Sequence, residues 1–273
     1  MPKATVVICT LNREKQLSQV LSDLSLQNYK DFEIIISHTI GITNAMNQAL
    51  NSAHGEIIIR VDDDVILPFN WLAEIMETFD KYPDAGGVTG PTIVPEHLRK
   101  NRDLFSFDKL PQPLKWLYVN YFQEGNPYAT AHMNKCGAFS LGSNFETALS
   151  AGFHECDYLE STNYALRTAL VKAEGGWDPK FDGVCEYFEQ DMVYKLKKKG
   201  WKMYYNPAAR MYHMVDKGGN FNARMDYISR LRNWCRFVCR YLGWNIHTIS
   251  YLFFQIGYYV YTGITRKSVT AKE

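Results

Sequence analysis

Carboxylates stand in two separate clusters of this 273-residue sequence, and they are the side chains best able to perform chemistry. The first cluster, Asp62-Asp63-Asp64, directly follows the β-branched run at residues 56–61. If strand geometry persists to position 64, alternate side chains share a face, so Asp62 and Asp64 point the same way. Such a pair suits Mg²⁺ or Mn²⁺ bridging a diphosphate. An acidic turn that caps the next helix is the alternative, and the position after a buried strand favours the metal site.

The second cluster precedes a helical pattern that stops at Gly200, and it contains Glu186, Glu189 and Asp191. A carboxylate within hydrogen-bond reach of an attacking hydroxyl can act as a general base, while a metal stabilises charge on the leaving group. These two tasks need acids at two separate places, which the sequence supplies. Capping of the helix N-terminus is the alternative for all three acids and stays open for Asp191.

Short apolar strands alternate with helical patterns and must position these acids. Strands are predicted at residues 4–9, 32–36, 56–61, 86–95 and 201–205. The alternation predicts right-handed β-α-β units and a mainly parallel central sheet in an α/β fold, with ligands beyond the carboxyl ends of the strands. Residues 96–135 show no clean period, which is typical of a lid, a substrate loop or an insertion.

Five motifs in order resemble the GT-A glycosyltransferases of family 2 over about residues 4–215. The motifs are Thr10-Leu-Asn-Arg-Glu14, Gly55-Glu56 with Asp62-x-Asp64, Gly175-Gly176-Trp177-Asp178, Glu189-x-Asp191 and Tyr212-His213. The resemblance implies a GT-A (Rossmann-like) nucleotide-diphospho-sugar transferase domain. It further implies an inverting enzyme with Mn²⁺ or Mg²⁺ as cofactor, a nucleotide-sugar donor, and a glycan or lipid-linked saccharide as acceptor.

The resemblance also implies roles for individual residues. Nucleotide-binding residues would be Thr10, Asn12, Arg13 and Glu14, with Asp62 on the ribose and diphosphate and Asp63 as the middle acid. The metal would be held by Asp64, Asp62 and His213, and the catalytic carboxylates would be Glu189, favoured as the base, and Asp191. Lys217, Gly218 and Gly219 would form a loop over the diphosphate.

Two departures from the family pattern affect these assignments. The family often has Glu-Asp where this chain has Phe188-Glu189, and a glutamate can serve the same role with a longer reach. The connection after the second strand is short and lacks the aspartate that often contacts the base. We therefore expect Ser37, His38 or Asn44 to contact the nucleotide base.

Composition excludes several classes of protein. The chain has 30 basic and 29 acidic side chains and a net charge of +1, which argues against a nucleic-acid partner. Its six cysteines are scattered without a C-x-x-C pair, so neither a disulfide scaffold nor a structural zinc site is indicated. No signal peptide is evident, so we expect a cytoplasmic chain, either free or at the inner face of a membrane.

The sequence changes character near its C-terminus. We expect a catalytic domain at residues 1–222 and a helical extension at 223–273. Residues 241–265 contain no Asp, Glu, Lys or Arg and carry many aromatic side chains, while arginines precede them. These features favour a peripheral membrane-docking hairpin whose arginines meet anionic head groups. Helices packed on the catalytic domain, or in a homo-oligomer interface, are nearly as well supported.

The function that the sequence predicts is metal-dependent transfer of a sugar to a hydroxyl with inversion. The alternative is a catalytically inactive GT-A homologue that binds glycan or acts as a scaffold. A metal-dependent phosphohydrolase or nucleotidyltransferase would also place acids at strand ends, but it would leave the order of the later motifs as coincidence.

Overall fold

Three parallel strands form the N-terminal half of the sheet in the computed structural model, which describes residues 1–101, 110–181, 183, 186–215 and 226–270. The first elements are β1 (Ala4–Cys9), α1 (Glu14–Ser25), β2 (Phe32–Ser37), α2 (Ile42–Ser52) and β3 (Ile57–Asp62). Strand β1 pairs in parallel with both β2 and β3, and Cys9 lies opposite Ser37 and Asp62. The register therefore brings the carboxyl ends of all three strands to one edge.

Two reversed strands complete a seven-stranded mixed sheet. The further elements are α3 (Trp71–Lys81), β5 (Ala85–Thr89), β7 (His154–Glu155), β8 (Asn163–Arg167), α5 (Thr168–Ala173), α6 (Phe188–Lys198) and β9 (Lys202–Tyr205). The strand order is β2-β1-β3-β8-β5-β9-β7. Strands β1, β2, β3, β5 and β9 run in one direction, whereas β8 and β7 are antiparallel to their neighbours. The mainly parallel sheet is confirmed, with β8 inserted against the common direction.

Both faces of the sheet are covered, which explains why its strands are almost continuously apolar. Val6 and Ile8 pack into a cluster with Trp71 of α3, while Val7 packs into a second cluster with Met46 of α2. Alternate side chains of one strand therefore enter two different hydrophobic layers.

A second sheet of three short strands stands beside the edge where β3 ends. It consists of β4 (Val65–Ile66), β6 (Thr92–Ile93) and β10 (Met211–His213), in the order β4-β10-β6. The single strand predicted at residues 86–95 is therefore wrong, because the chain breaks at Gly90 and Pro91. A Cβ atom on Gly90 would lie 2.2 Å from the carbonyl oxygen of Ala209, so only glycine allows this close approach.

In the stretch predicted to be aperiodic, the described residues include a helix, α4 (Gln112–Leu117), which continues as a π-helical turn over Tyr118–Phe122. Short 3₁₀ turns lie at Glu96–Asn101, Gly142–Asn144 and Glu146–Ser150. The predicted loop at Lys217, Gly218 and Gly219 lies outside the described residues.

The C-terminal extension packs on the rest of the chain. It contains α7 (Tyr227–Phe237), a π-helical turn over Val238–Leu242, and α8 (Ile246–Thr270). Trp234 and Phe237 are buried in the same cluster as Tyr187 and Phe188 at the start of α6. Within the described ranges, none of the helices combines the length and the apolar character that crossing a bilayer requires.

One face of α8 nevertheless carries exposed apolar side chains at a regular spacing. We call this set the α8 stripe: Ile246 (69 % exposed), Ile249 (41 %), Phe253 (68 %), Ile256 (43 %) and Val260 (57 %). Steps of three and four residues place all five side chains on one side of the helix. Packing on the rest of the chain therefore leaves the α8 stripe uncovered.

Candidate active site

A tight turn follows β3 and carries the first acidic cluster. Asp63 and Asp64 form this turn between β3 and β4, so the extended geometry that the sequence analysis assumed ends at Asp62. Ligand atoms of Asp62, Asp64 and His213 nevertheless lie within 4.8 Å of one another. The predicted metal-binding residues are therefore brought together by a turn and not by strand alternation.

The small sheet explains how His213 reaches this cluster from a distant part of the sequence. Strand β10 pairs antiparallel with β4, and His213 stands opposite Val65. The backbone N–H of Met214 donates to the carbonyl oxygen of Asp64 at 2.8 Å. This pairing sets the Nε2 atom of His213 3.3 Å from Oδ1 of Asp64.

The donor set of this cluster fits a divalent cation. Asp64 and His213 are both buried, and Asp62 is partly exposed. Burial favours the neutral form of Asp64, but His213 and Arg13 beside it hold the pKa of its carboxyl well below the usual range. Two carboxylates and an imidazole can bind such a cation and leave positions open for ligand oxygens.

Thr10 and Arg13 hold the acidic turn in place. The hydroxyl of Thr10 donates to Oδ2 of Asp63 at 2.6 Å. The guanidinium of Arg13 lies 2.9 Å from Oδ1 of Asp63 and 3.0 Å from Oδ2 of Asp64. Burial raises the pKa of Asp63 despite these two partners. These contacts fix the conformation of the turn, and the nucleotide contacts that the resemblance implies for Asp63, Thr10 and Arg13 stay a prediction.

The other residues expected to bind the nucleotide lie along the same edge. Asn12 has a left-handed backbone (φ 54°), a conformation that asparagine tolerates, and it is exposed together with Glu14 at the start of α1. Ser37 ends β2, where its carbonyl oxygen accepts from the N–H of Thr10 at 3.0 Å. Asn44 is exposed in the first turn of α2. These residues lie at the same edge of the sheet as the acidic turn, and Asn12, Glu14 and Asn44 face solvent.

A buried arginine links the acidic turn to the second cluster. Arg60 lies in β3 with its side chain buried, and its guanidinium pairs with Oδ1 of Asp62 and donates to the carbonyl oxygen of Ser161. It also lies 3.0 Å from the hydroxyl oxygen of Ser161 and 3.7 Å from Oε1 of Glu189. The hydroxyl of Ser161 donates to the same Glu189 oxygen. Arg60 and Ser161 therefore fix the position of Glu189 relative to Asp62.

Local backbone geometry positions Glu189 beside Arg60 and Ser161. Tyr187 has a left-handed backbone (φ 72°) and precedes α6, whose first turn contains Glu189. The antiparallel pairing of β8 with β3 sets Asn163 opposite Val61, which brings Ser161 beside the end of β3. Glu189 is only 1 % exposed, and burial raises the pKa of its carboxyl to about 7 although Arg60 and Ser161 oppose the change.

Asp191 points into a different ion cluster. Its Oδ1 accepts from Arg240 at 2.7 Å and from the hydroxyl of Tyr241 at 2.8 Å, and its Oδ2 lies 2.9 Å from Lys195. Arg240 also pairs with Asp178 at 2.6 Å. The Asp191 carboxylate is thus buried and joins α6 to the C-terminal extension, and its catalytic role stays a prediction.

Arg60 and Ser161 are not among the site residues predicted from the sequence. A charged residue inside the apolar run at residues 56–61 was an available signal, because a buried arginine needs acidic partners. Ser161 carries no comparable signal, since its place depends on the direction of β8.

Comparisons with known proteins are consistent with this geometry. Residues 37–145 match the family model described as "Glycosyl transferase family 2". A glucosyl-dolichyl phosphate glucuronosyltransferase of Haloferax volcanii is 22 % identical over 247 residues, which cover 78 % of this chain and 69 % of that protein.

Two solved structures share the fold. The mannosyltransferase PcManGT of Pyrobaculum calidifontis, in complex with GDP-Man and Mn²⁺, superposes with a TM-score of 0.55 at 16 % identity. This match covers 93 % of the present chain and 69 % of the other. TarS of S. aureus in complex with UDP-GlcNAc gives a TM-score of 0.52 at 15 % identity, covering 86 % of this chain and 66 % of that one.

These matches confirm the resemblance to family 2, the GT-A fold and the expectation of a glycosyltransferase enzyme. The family match is confined to residues 37–145, and the present chain spans about two thirds of the length of these relatives.

Proposed function

We propose that this chain, which has the GT-A fold and a segment that matches family 2, transfers a sugar from a nucleotide-diphosphate donor. The group that receives the sugar is a hydroxyl of a glycan or lipid-linked acceptor. The proposed transfer is metal-dependent and inverts the anomeric configuration. The observation that carries it is the pairing of a cation-binding cluster with a separate buried carboxylate, Glu189, through Arg60. The donors named for the two structural neighbours, GDP-Man and UDP-GlcNAc, support a nucleotide sugar.

The cation, Mn²⁺ or Mg²⁺, would be held by Asp62, Asp64 and His213. When bound there, it supplies positive charge to a departing diphosphate. Thr10, Arg13 and Asp63 keep the turn of the cluster in one conformation, so Asp64 remains ionised and oriented. Asn12, Glu14, Ser37 and Asn44 line the neighbouring strand ends, where we place the nucleoside.

Glu189 acts as the general base in this proposal. The acceptor oxygen forms a bond to the anomeric carbon while the bond from that carbon to the diphosphate oxygen breaks, and the hydroxyl proton passes to the Glu189 carboxylate. Attack on the side opposite the leaving diphosphate inverts the configuration. A pKa of about 7 leaves a large fraction of the carboxylate ionised near neutral pH and makes it a stronger base than an ordinary glutamate.

Thermal unfolding with nucleotides tests the donor site. We expect one of UDP, GDP, dTDP and CMP to raise the unfolding midpoint with Mn²⁺ or Mg²⁺ and not with EDTA, because a ligand of the native state stabilises it. Asp64→Asn should abolish the metal-dependent increase, whereas Asp80→Asn, an exposed aspartate of α3, should retain it. A wild-type chain that binds glycan but no nucleotide would instead be a non-catalytic homologue.

We further propose that the α8 stripe rests on the cytoplasmic face of a membrane. Five exposed apolar side chains on one helix face are costly in water, and the neighbouring part of the helix contains no charged residue up to Thr265. The name of the H. volcanii relative, which includes a dolichyl phosphate, supports an acceptor located at a membrane. Arg240 is engaged by Asp178 and Asp191, so this contact rests on the apolar stripe.

Sedimentation with phospholipid vesicles tests this second proposal. Phe253→Asp within the α8 stripe should leave the chain in the supernatant, while the same change at an exposed polar position, Ser18→Asp in α1, should not. A stripe that forms a homo-oligomer would instead give a dimer in light scattering without lipid, and Phe253→Asp would convert it to a monomer.

A further inference from the structure

A small pocket lies between the C-terminal extension and the start of α6, apart from the acidic turn. Its volume is about 160 Å³. Its walls include the aromatic rings of Phe139, Tyr187, Tyr251 and Phe254. A cavity of about 150 Å³ accommodates one six-membered ring. The pocket therefore has the size of a single ring and not of a nucleotide or a long chain.

Polar groups are placed within this aromatic lining. Gln255 is buried, and its Oε1 accepts from the hydroxyl of Tyr259 at 3.4 Å. Its Nε2 has no hydrogen-bond partner among the residues that the structure describes. Glu186 and Arg230 lie at the wall 3.2 Å from each other. A ligand that fills the pocket is therefore offered a hydrogen-bond donor and a carboxylate paired with a guanidinium.

The combination of these groups matches a sugar ring. Aromatic faces accept the apolar C–H side of a pyranose, while the amide and the ion pair can hydrogen-bond its hydroxyls. A hydrocarbon would leave the Nε2 atom of Gln255 buried and unpaired, which is unfavourable. Because Glu186 and Arg230 carry opposite charges, the lining has no net charge from this pair and suits an uncharged sugar.

The pocket shares a wall with the environment of Glu189. Tyr187 directly precedes α6, which carries Glu189 in its first turn. The ring of Phe139 packs at a tilt against the ring of Tyr187, with centroids 4.7 Å apart, and against the ring of Tyr158, with centroids 5.0 Å apart. The hydroxyl of Tyr158 donates to Glu160 at 2.9 Å, next to Ser161. Packed aromatic side chains therefore connect the pocket with the network around Glu189.

We propose that this pocket binds one uncharged pyranose ring of the acceptor. The proposal rests on the proposed transferase function, because it assigns the ligand to the acceptor and not to the donor. In this proposal the C-terminal extension recognises a saccharide and not the prenyl chain of a lipid-linked acceptor.

Binding of simple glycosides to the full chain tests the proposal. The probes are the methyl glycosides of glucose, mannose, galactose and N-acetylglucosamine, with farnesol as the hydrocarbon probe, measured by ligand-observed NMR. We expect at least one glycoside to bind saturably. Gln255→Leu should weaken it by about 3- to 10-fold, the scale of one hydrogen bond. Gln19→Leu, at a helix position outside the pocket, should not change it.

A second variant tests the pocket even if Gln255→Leu fails to fold. Glu186→Gln should raise the acceptor KM while leaving kcat and the metal-dependent nucleotide binding unchanged, because Glu186 lines the pocket and is not among the cation-binding residues. Unaltered glycoside binding in both variants, or farnesol binding that displaces every glycoside, would overturn the proposal.

The failure of the proposed function gives a different result. Glycoside binding that is sensitive to Gln255→Leu, without binding of any nucleotide, would leave the pocket as a saccharide site and remove the transferase. Nucleotide binding without saturable glycoside binding would leave the transferase and remove the pocket.

Discussion

Replacing Glu189 by glutamine separates its proposed role as a base from a structural role. Glutamine has nearly the same shape and can still accept from Ser161, but it cannot take up a proton. We expect kcat to fall by about 10²- to 10⁴-fold, the scale of a lost general base. Metal-dependent nucleotide binding should persist, because the cation-binding residues are untouched. Glu77→Gln, at an exposed position of α3, serves as the control.

The pH dependence of the rate follows from the pKa of Glu189. Below about pH 7 the carboxyl is protonated and cannot accept the hydroxyl proton, so the wild-type rate should fall about tenfold for each pH unit. The residual rate of Glu189→Gln should lack this acidic limb. Initial rates of sugar transfer between pH 5 and 9 measure both curves.

The pH dependence of stability tests the raised pKa of Glu189 without a measurement of turnover. The pKa of Glu189 is raised from 4.5 to about 7 in the folded chain, so its contribution to stability is greatest below pH 4.5 and is lost as the pH rises through 7. The difference corresponds to about 3 kcal/mol. Urea unfolding should therefore show wild type losing about 3 kcal/mol relative to Glu189→Gln between pH 4.5 and pH 8. Parallel stability curves together with an unchanged kcat would refute the reasoning.

Three further substitutions probe the groups around this site. Arg60→Met removes the guanidinium between Asp62 and Glu189. We therefore expect the acidic limb of the rate to move above pH 7 and the free energy of unfolding to fall by about 3 kcal/mol. An acidic limb that does not move would contradict the effect of Arg60 on Glu189. Asp191→Asn should lower the free energy of unfolding, measured in urea, by about 1.5–3 kcal/mol without altering the acidic limb of the rate. A loss of kcat as large as that of Glu189→Gln would instead support a catalytic role for Asp191. Gly90→Ala forces a Cβ to 2.2 Å from Ala209, so it should destabilise the chain by about 1–3 kcal/mol and weaken the metal-dependent shift; a wild-type unfolding midpoint would show that the small sheet is not needed.

The N-terminal half of the fold was predictable because its signals are local. β-Branched runs and helical spacing placed β1, β2 and β3, and a parallel register follows from the short helices between them. The parallel register alone places Ser37 and Asp62 at one edge of the sheet.

The rest of the site depends on information that side-chain periodicity does not contain. The direction of β8 is not encoded in its alternation, yet only the antiparallel direction sets Ser161 beside Arg60. Asp191 resembles a catalytic acid in sequence, and in the folded chain its carboxylate accepts from Arg240, 49 residues further along the chain. A pattern of residue types cannot distinguish an acid that faces a substrate from one that faces an arginine in the folded chain.

The small sheet also determines when the site can exist. Strand β10 joins β4 across nearly 150 residues, and the N–H of Met214 closes that loop on Asp64. During synthesis, the segment that matches the family model, residues 37–145, is made before Glu189 and His213. Closing so long a loop is entropically costly and slow. Affinity for the cation should therefore arise late, after the parallel strands have formed, and a nascent chain cannot act on a donor before its sequence is complete to residue 213.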